Sequence, residues 1–171
     1  MQKLIIRQEV DPMNPREEWD NLGTMICFHR RNYYGDKHSM DQEEALKLEA
    51  SKDVITLPMY MYDHSGVSIR TTPFSCPWDS GKLGFIYVTK EAVRKEYGWK
   101  VLTKSRVEKI KSYLEGEVEV YNQYINGDIW GYNCGDDSCW GFYGDYESKE
   151  VEDACLENTC LKGEDVEIVW E

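Results

Sequence analysis

The chain has no apolar run approaching the roughly 18–20 residues that a membrane span requires. Its start, Met1-Gln2-Lys3-Leu4-Ile5-Ile6-Arg7, lacks the apolar stretch of a secretory signal. Both absences point to a soluble, intracellular protein. No G-x-x-x-x-G-K-[ST] loop occurs, and no G-x-G-x-x-G follows a strand; Gly141-Phe142-Tyr143-Gly144-Asp145 lacks the required glycine spacing. Basic residues are in deficit, 20 against 32 acidic ones for a net charge of −12, which disfavours direct binding to nucleic-acid phosphates. There are only three histidines, and all lie within the first 64 residues. No repeat and no low-complexity linker is found. What remains is globular: 41% apolar and 30% charged residues argue against disorder. A length of 171 residues suits one domain and falls short of two ordinary ones.

The charge is unevenly placed. Residues 1–111 carry 18 basic and 16 acidic residues, a net of +2, whereas residues 112–171 carry 16 acidic residues against Lys149 and Lys162, a net of −14. The last third therefore holds the whole acidic excess, an asymmetry typical of an interaction surface or an acidic tail. The same segment is dense in aromatics (Tyr113, Tyr121, Tyr124, Trp130, Tyr132, Trp140, Phe142, Tyr143, Tyr146 and Trp170), which favours a packed region over a solvated acidic brush. The plainer alternative is an acidic outer face that serves solubility.

Six cysteines (Cys27, Cys76, Cys134, Cys139, Cys155 and Cys160) would allow three disulfides, but without a secretory signal free thiols are favoured. The C-x4-C pairs Cys134/Cys139 and Cys155/Cys160 are loosely spaced for zinc and have no histidine nearby, so the favoured reading is small buried hydrophobes and no metal.

Along the chain, residues 3–8 read as an edge strand and Gly23–Phe28 as a buried one. Ser39 and Gln42 form a capping box for a short helix over Glu43–Ala50. Val54–Tyr62 and Val67–Thr72 flank Asp63-His64-Ser65-Gly66 as a hairpin, with Pro58 implying an edge or a bulge. Gly84–Val88 is the best buried strand. Thr89 caps a helix from Lys90 to Tyr97, and Gly98 closes it. In the long helix after Thr103, Val107, Ile110, Leu114, Val118, Tyr121 and Ile125 share one face, while Glu108, Glu115 and Glu119 face solvent. Asn126-Gly127 ends that helix. Ile129–Cys134 and Ser138–Tyr143 form a second hairpin, followed by a short helix near Lys149–Leu156 and a last strand at Val166–Trp170. Hairpins mixed with helices, without regular βαβ alternation, predict an α+β fold: a mostly antiparallel sheet with three to four helices packed on it, in a single domain.

Reactive centres are sparse. His29, His38 and His64 with Asp36 and Asp63 supply the residue types of a metal site, but the spacing matches no motif and Arg30-Arg31 beside His29 opposes a cation. Cys76 in Ser75-Cys76-Pro77-Trp78-Asp79-Ser80-Gly81 has no histidine near it in sequence, and the segment reads as a surface loop. No catalytic residue is assigned. Arg30-Arg31-Asn32-Tyr33-Tyr34 interleaves cations and aromatics as single-strand binders do; in an acidic chain such a cluster is more often a salt-bridge partner for the acidic part.

Several segments together carry a resemblance: Asn14-Pro15-Arg16; Trp19-Asp20-Asn21-Leu22-Gly23-Thr24-Met25; His29-Arg30-Arg31 with Gly35-Asp36-Lys37-His38; Tyr62-Asp63-His64-Ser65-Gly66. Further on come Thr72-Pro73-Phe74-Ser75-Cys76-Pro77-Trp78-Asp79-Ser80-Gly81, Gly84-Phe85-Ile86-Tyr87-Val88 and Asp137-Ser138-Cys139-Trp140-Gly141-Phe142-Tyr143-Gly144. Over about residues 10–147 the chain resembles a family of small acidic proteins encoded by bacteriophages, plasmids and other mobile elements, chiefly of Gram-positive bacteria. The acidic extension from about Ser148 departs from that pattern. The resemblance carries over no catalytic residue. It implies a setting: an accessory protein acting in the cytoplasm of a bacterial host.

Two functions follow as expectations. In the first, the protein inhibits a bacterial defence system of the anti-CRISPR or anti-restriction type. It would occupy the basic nucleic-acid channel of a defence nuclease, or of its nucleic-acid-binding subunit, with an acidic, aromatic-rich face. That face is expected to comprise Glu108, Glu115, Glu119, Asp128, Asp136, Asp137, Asp145 and Glu147, with Trp130 and Tyr143 as anchors. It needs no cofactor, membrane or nucleic acid. The alternative is a small metal-dependent enzyme, or a nucleotide-sequestering protein, built on His29, Asp36, His38 and His64.

Overall fold

A computed structural model describes residues 2–161 and 165–171. Its contacts divide the chain into two compact units: unit 1, residues 1–14 with 123–171, and unit 2, residues 15–122. The class is α+β, with two mostly antiparallel sheets and five helices among the described residues.

Unit 2 is built on the sheet order β2-β5-β3-β4, with β2 at Thr24–Cys27, β3 at Val54–Asp63, β4 at Val67–Arg70 and β5 at Ser80–Thr89. Strand β5 is its spine: Leu83, Phe85, Ile86 and Val88 are buried, and the strand pairs antiparallel with β2 on one side and β3 on the other. Both expectations for Pro58 are met. It lies N-terminal to the stretch of β3 that β4 pairs, and the register of β3 on β5 shifts one residue later, between Met59 and Tyr60. Proline therefore falls where a ladder donor is not needed on both sides.

Three helices of unit 2 are α1 (Pro15–Glu18), α2 (Gln42–Glu49) and α3 (Lys90–Tyr97). The capping box of α2 sits two residues later than the sequence suggests: Asp41, not Ser39, is the N-cap, accepting from the Glu44 backbone N–H while Glu44 returns the bond. Asp41-x-x-Glu44 is the better box because both members are carboxylates at the positive end of the helix. Helix α3 is bounded as expected by Thr89 and by Gly98, whose φ of +65° is the left-handed cap. Helix α4 spans Lys104–Asn126, and the boundary between the units falls within it. Ile110, Leu114, Val118 and Tyr121 are its buried face, and Glu108, Glu115 and Glu119 are exposed.

Unit 1 has the sheet order β7-β6-β1-β8, with β1 at Gln2–Gln8, β6 at Ile129–Cys134, β7 at Asp137–Tyr143 and β8 at Val166–Trp170. The first strand is therefore not an edge. It pairs antiparallel with β6 and parallel with β8, and Leu4 and Ile6 are fully buried. Lys3, Arg7 and Gln8 make it look like an edge in sequence, yet Lys3 and Arg7 lie on the face opposite Leu4 and Ile6, and Gln8 is at the end of a strand paired on both sides. Helix α5 (Lys149–Asn158), capped by Ser148, packs Val151 and Cys155 against Leu4, Ile6, Trp130 and Tyr132. The segment from Ser148 thus supplies a helix and a strand to this core. No helix among the described residues is long and apolar enough to cross a membrane.

Candidate functional site

The partition of charge follows the partition of contacts. Unit 1 holds four basic residues (Lys3, Arg7, Lys149 and Lys162) against fifteen acidic ones, a net of −11, which leaves −1 for unit 2. Its described cations are already paired within the unit: Lys3 with Glu167, Arg7 with Glu171, and Lys149 with Asp153. None of them reaches Asp128, Asp136, Asp137, Asp145 or Glu147, and these carboxylates make no salt bridge among the described residues.

The individual positions differ. Asp136, Asp145 and Glu147 are exposed. Asp136 stands in the tight β6–β7 turn beside Gly135, whose φ is +61°. Asp128 is half-buried; burial first, and then the neighbouring Asp145 charge, push its carboxyl up. Asp137 is an internal acceptor. Its Oδ2 takes bonds from the Cys160 backbone N–H (3.1 Å), the Thr159 hydroxyl (3.1 Å) and the Tyr132 hydroxyl (3.4 Å). These bonds, the Cys160 N–H foremost, hold its carboxyl below the ordinary carboxylate range. It fastens the end of α5 to the hairpin and is not presented outward in the way its neighbour is. Trp130 is likewise internal, 6% exposed, donating its indole N–H to the Gly144 carbonyl at 2.7 Å and packing edge-on to Trp170 at 5.0 Å. Tyr143 is half-buried. The aromatics that unit 1 does present are Trp140 and Tyr146, 43% and 56% exposed. A clue to Trp140 is Gly131 opposite it: a Cβ there would lie 2.1 Å from the indole, so the ring lies flat across the glycine.

Glu108, Glu115 and Glu119 belong to unit 2. Glu108 pairs with Lys111 at 3.7 Å, and Glu115 accepts from the Thr71 hydroxyl. They stand on a helix that also carries Lys104, Arg106, Lys109 and Lys111, within a unit of nearly balanced charge.

The histidine region of unit 2 does not assemble a metal site. Asp36 is committed to Arg16, which is buried to 2% side-chain exposure and reaches Asp36 through Nε (3.0 Å) and Nη2 (2.6 Å), and Glu117 through Nη1 (2.8 Å). Asp36 also accepts from the Met25 backbone N–H, and Glu117 from that of Gly23. His64 lies in the β3–β4 turn and pairs with Asp79 at 3.1 Å. No group of three or more His, Cys, Asp or Glu set to hold a metal ion occurs among the described residues. The six cysteines are free, and burial pushes the Cys27 and Cys155 thiols up to about 12 and about 11. Both are held as unreactive neutral thiols.

Arg30 and Arg31 are the departure from expectation. Rather than pairing with acidic residues, they are exposed and make no salt bridge among the described residues. Arg30 opens onto a cleft of about 860 Å³ together with His29, Tyr33, Tyr34 and His38, and both arginines line an adjoining recess. No family model, no curated protein and no solved structure matches the chain.

Proposed function

We propose that the protein is an inhibitor of a bacterial defence system, encoded by a phage or mobile element and acting in the host cytoplasm. Unit 1 docks on the basic nucleic-acid-binding surface of a defence nuclease or its binding subunit. The observation that supports this reading is the net −11 carried by one compact unit whose described cations are already paired. A surface with so much uncompensated negative charge is attracted to a basic channel at long range, and folded carboxylates compete there with phosphates. Asp136, Asp145 and Glu147 are outward charges of this unit. Tyr146 and Trp140 supply exposed aromatic area, the kind of side chain that dominates contact energy at interfaces.

Charge reversal at exposed positions tests it. The protein is expressed in hosts carrying a restriction or CRISPR system, and the plating efficiency of a targeted phage is measured. The wild-type chain restores plating against at least one system, and the triple variant Asp136→Lys, Asp145→Lys, Glu147→Lys loses at least about tenfold of that effect. Undiminished restoration by a folded triple variant contradicts the mechanism. Restoration against no system contradicts the function.

A further inference from the structure

We propose that unit 2 carries a separate binding site for a mononucleotide, in the cleft lined by Phe28, His29, Arg30, Tyr34, His38 and Gln42. Three cavities adjoin at Phe28. The central one, about 860 Å³, lies in the size range of small-molecule sites. On one side Phe28, Ala45, Leu46, Leu83 and Phe85, with Gln42 and the Lys82–Glu49 ion pair, line a largely apolar slot of about 240 Å³. On the other, Phe28, His29, Arg30, Arg31 and Asp63 line a recess of about 400 Å³. A ligand suited to this succession is planar and apolar at one end and anionic at the other.

The anionic end is fixed by the cations. Among the described residues Arg30 and Arg31 have no carboxylate within salt-bridge distance; Asp63 lines the same recess without pairing with either. Guanidinium groups free of partners present a fork of donors that matches phosphate oxygens. His29 adds a donor. Its Nδ1 accepts from the Arg31 and Asn32 backbone N–H groups at 3.3 and 3.2 Å, which leaves its proton on Nε2. Lys37, also on the cleft wall, is paired with Glu17 at 3.2 Å and contributes less.

The planar end is fixed by His38. Its Nε2 donates to the Cys27 carbonyl at 3.1 Å, so in the neutral ring Nδ1 is an acceptor, and that atom is buried without a partner. A buried acceptor without a partner is destabilising, and a ligand N–H would relieve it. The exocyclic amine of a base is such a donor, and Gln42, which lines the same cleft, offers both donor and acceptor to a base edge. Phe28, edge-on to His38 at 5.2 Å, and Tyr34, edge-on to His29 at 5.3 Å, supply aromatic walls for a stacked ring. The wall is built in advance. Gly35 donates to the Tyr121 hydroxyl, the Asp36 N–H bonds the Met25 carbonyl, and the Asp36 side chain is gripped by Arg16. Gly35 has a φ of +72°, and a Cβ there would sit 2.9 Å from the Cys27 sulfur, so no other residue fits.

Titration calorimetry on the full chain tests the site, with AMP, GMP, CMP and UMP as probes. Adenosine and inorganic phosphate are separate arms, and a 5′-phosphorylated trinucleotide represents the same chemistry at a strand end. At least one mononucleotide binds, and adenosine and phosphate alone bind at least about tenfold more weakly than the nucleotide that joins them. The double variant Arg30→Ala, Arg31→Ala, altering two exposed and unpaired side chains, keeps its circular dichroism spectrum and weakens nucleotide binding by at least about tenfold. Failure of all four mononucleotides at millimolar concentration overturns the proposal. Binding by the double variant equal to wild type also overturns it, as does tighter binding of the trinucleotide than of any mononucleotide. Each outcome is independent of unit 1 and of the inhibitor reading.

Discussion

At the scale of single residues, Arg16 is the clearest case of a side chain whose role is structural. It is a buried cation with two carboxylates and the Gly23 carbonyl as acceptors, joining α1, the loop at Asp36 and helix α4 within unit 2. Removing it leaves two largely buried carboxylates without their cation, and their desolvation is then uncompensated. Arg16→Met is expected to destabilise unit 2 by about 3–5 kcal/mol, read from urea unfolding; a loss under about 1 kcal/mol would contradict the network. Asp137 is the second case. Its carboxyl titrates below its ordinary value of 3.8 because the Cys160 N–H and two hydroxyls bond its charged form. The stabilisation this gives is present above the ordinary carboxylate pKa and is lost as pH falls through the lowered one. Asp137→Asn is therefore expected to lower the urea midpoint at about pH 7 while the two proteins converge at about pH 2. A constant offset across that range would contradict the assignment. Neither role is visible in the sequence. Arg16 lies 20 and 101 residues from its acidic partners, and Asp137 reads as one more turn acid beside Asp136.

Elements were more legible than residues, because their signals are local. The stripe of α4, the Thr89 and Gly98 caps of α3 and the hairpins around Ser65–Gly66 and Gly135–Asp136 follow from spacings of a few residues. Strand β1 misled because its neighbours are at the far end of the chain: β8 pairs with it across more than 160 residues, and no local pattern reports such a partner. The β6–β7 hairpin also holds a detail that only pairing discloses. Its register shifts between Trp130 and Gly131, where Gly141, at φ +91°, is the extra residue. Such a bulge re-aims the side chains beside it, and Trp140 is laid across Gly131. Gly131→Ala is expected to force that indole aside, destabilising unit 1 by about 1–3 kcal/mol and shifting tryptophan fluorescence. An unchanged spectrum would contradict the close approach.

At the scale of the whole molecule, what matters is which of the two units carries the charge. The sequence showed the acidic excess in the last third, but not that residues 1–14 join that segment in a separate core. Nor did it show that the α4 glutamates fall in a unit of nearly balanced charge. Of the expected face, the exposed carboxylates in unit 1 reduce to Asp136, Asp145 and Glu147, because Asp128 is half-buried and Asp137 and Trp130 are used inside. The arginine cluster went the other way: composition made Arg30 and Arg31 salt-bridge partners, and the fold sets them at a recess beside the cleft with no salt bridge among the described residues. The most direct measurement is the salt dependence of inhibition. Once a sensitive defence nuclease is identified by the plating assay, its DNA binding is competed with the purified protein between about 50 and 200 mM salt. The wild-type chain is expected to lose potency steeply with salt, and Asp136→Lys, Asp145→Lys, Glu147→Lys to inhibit weakly with a shallow slope. Equal potency and equal slope for the two proteins would contradict docking through these charges.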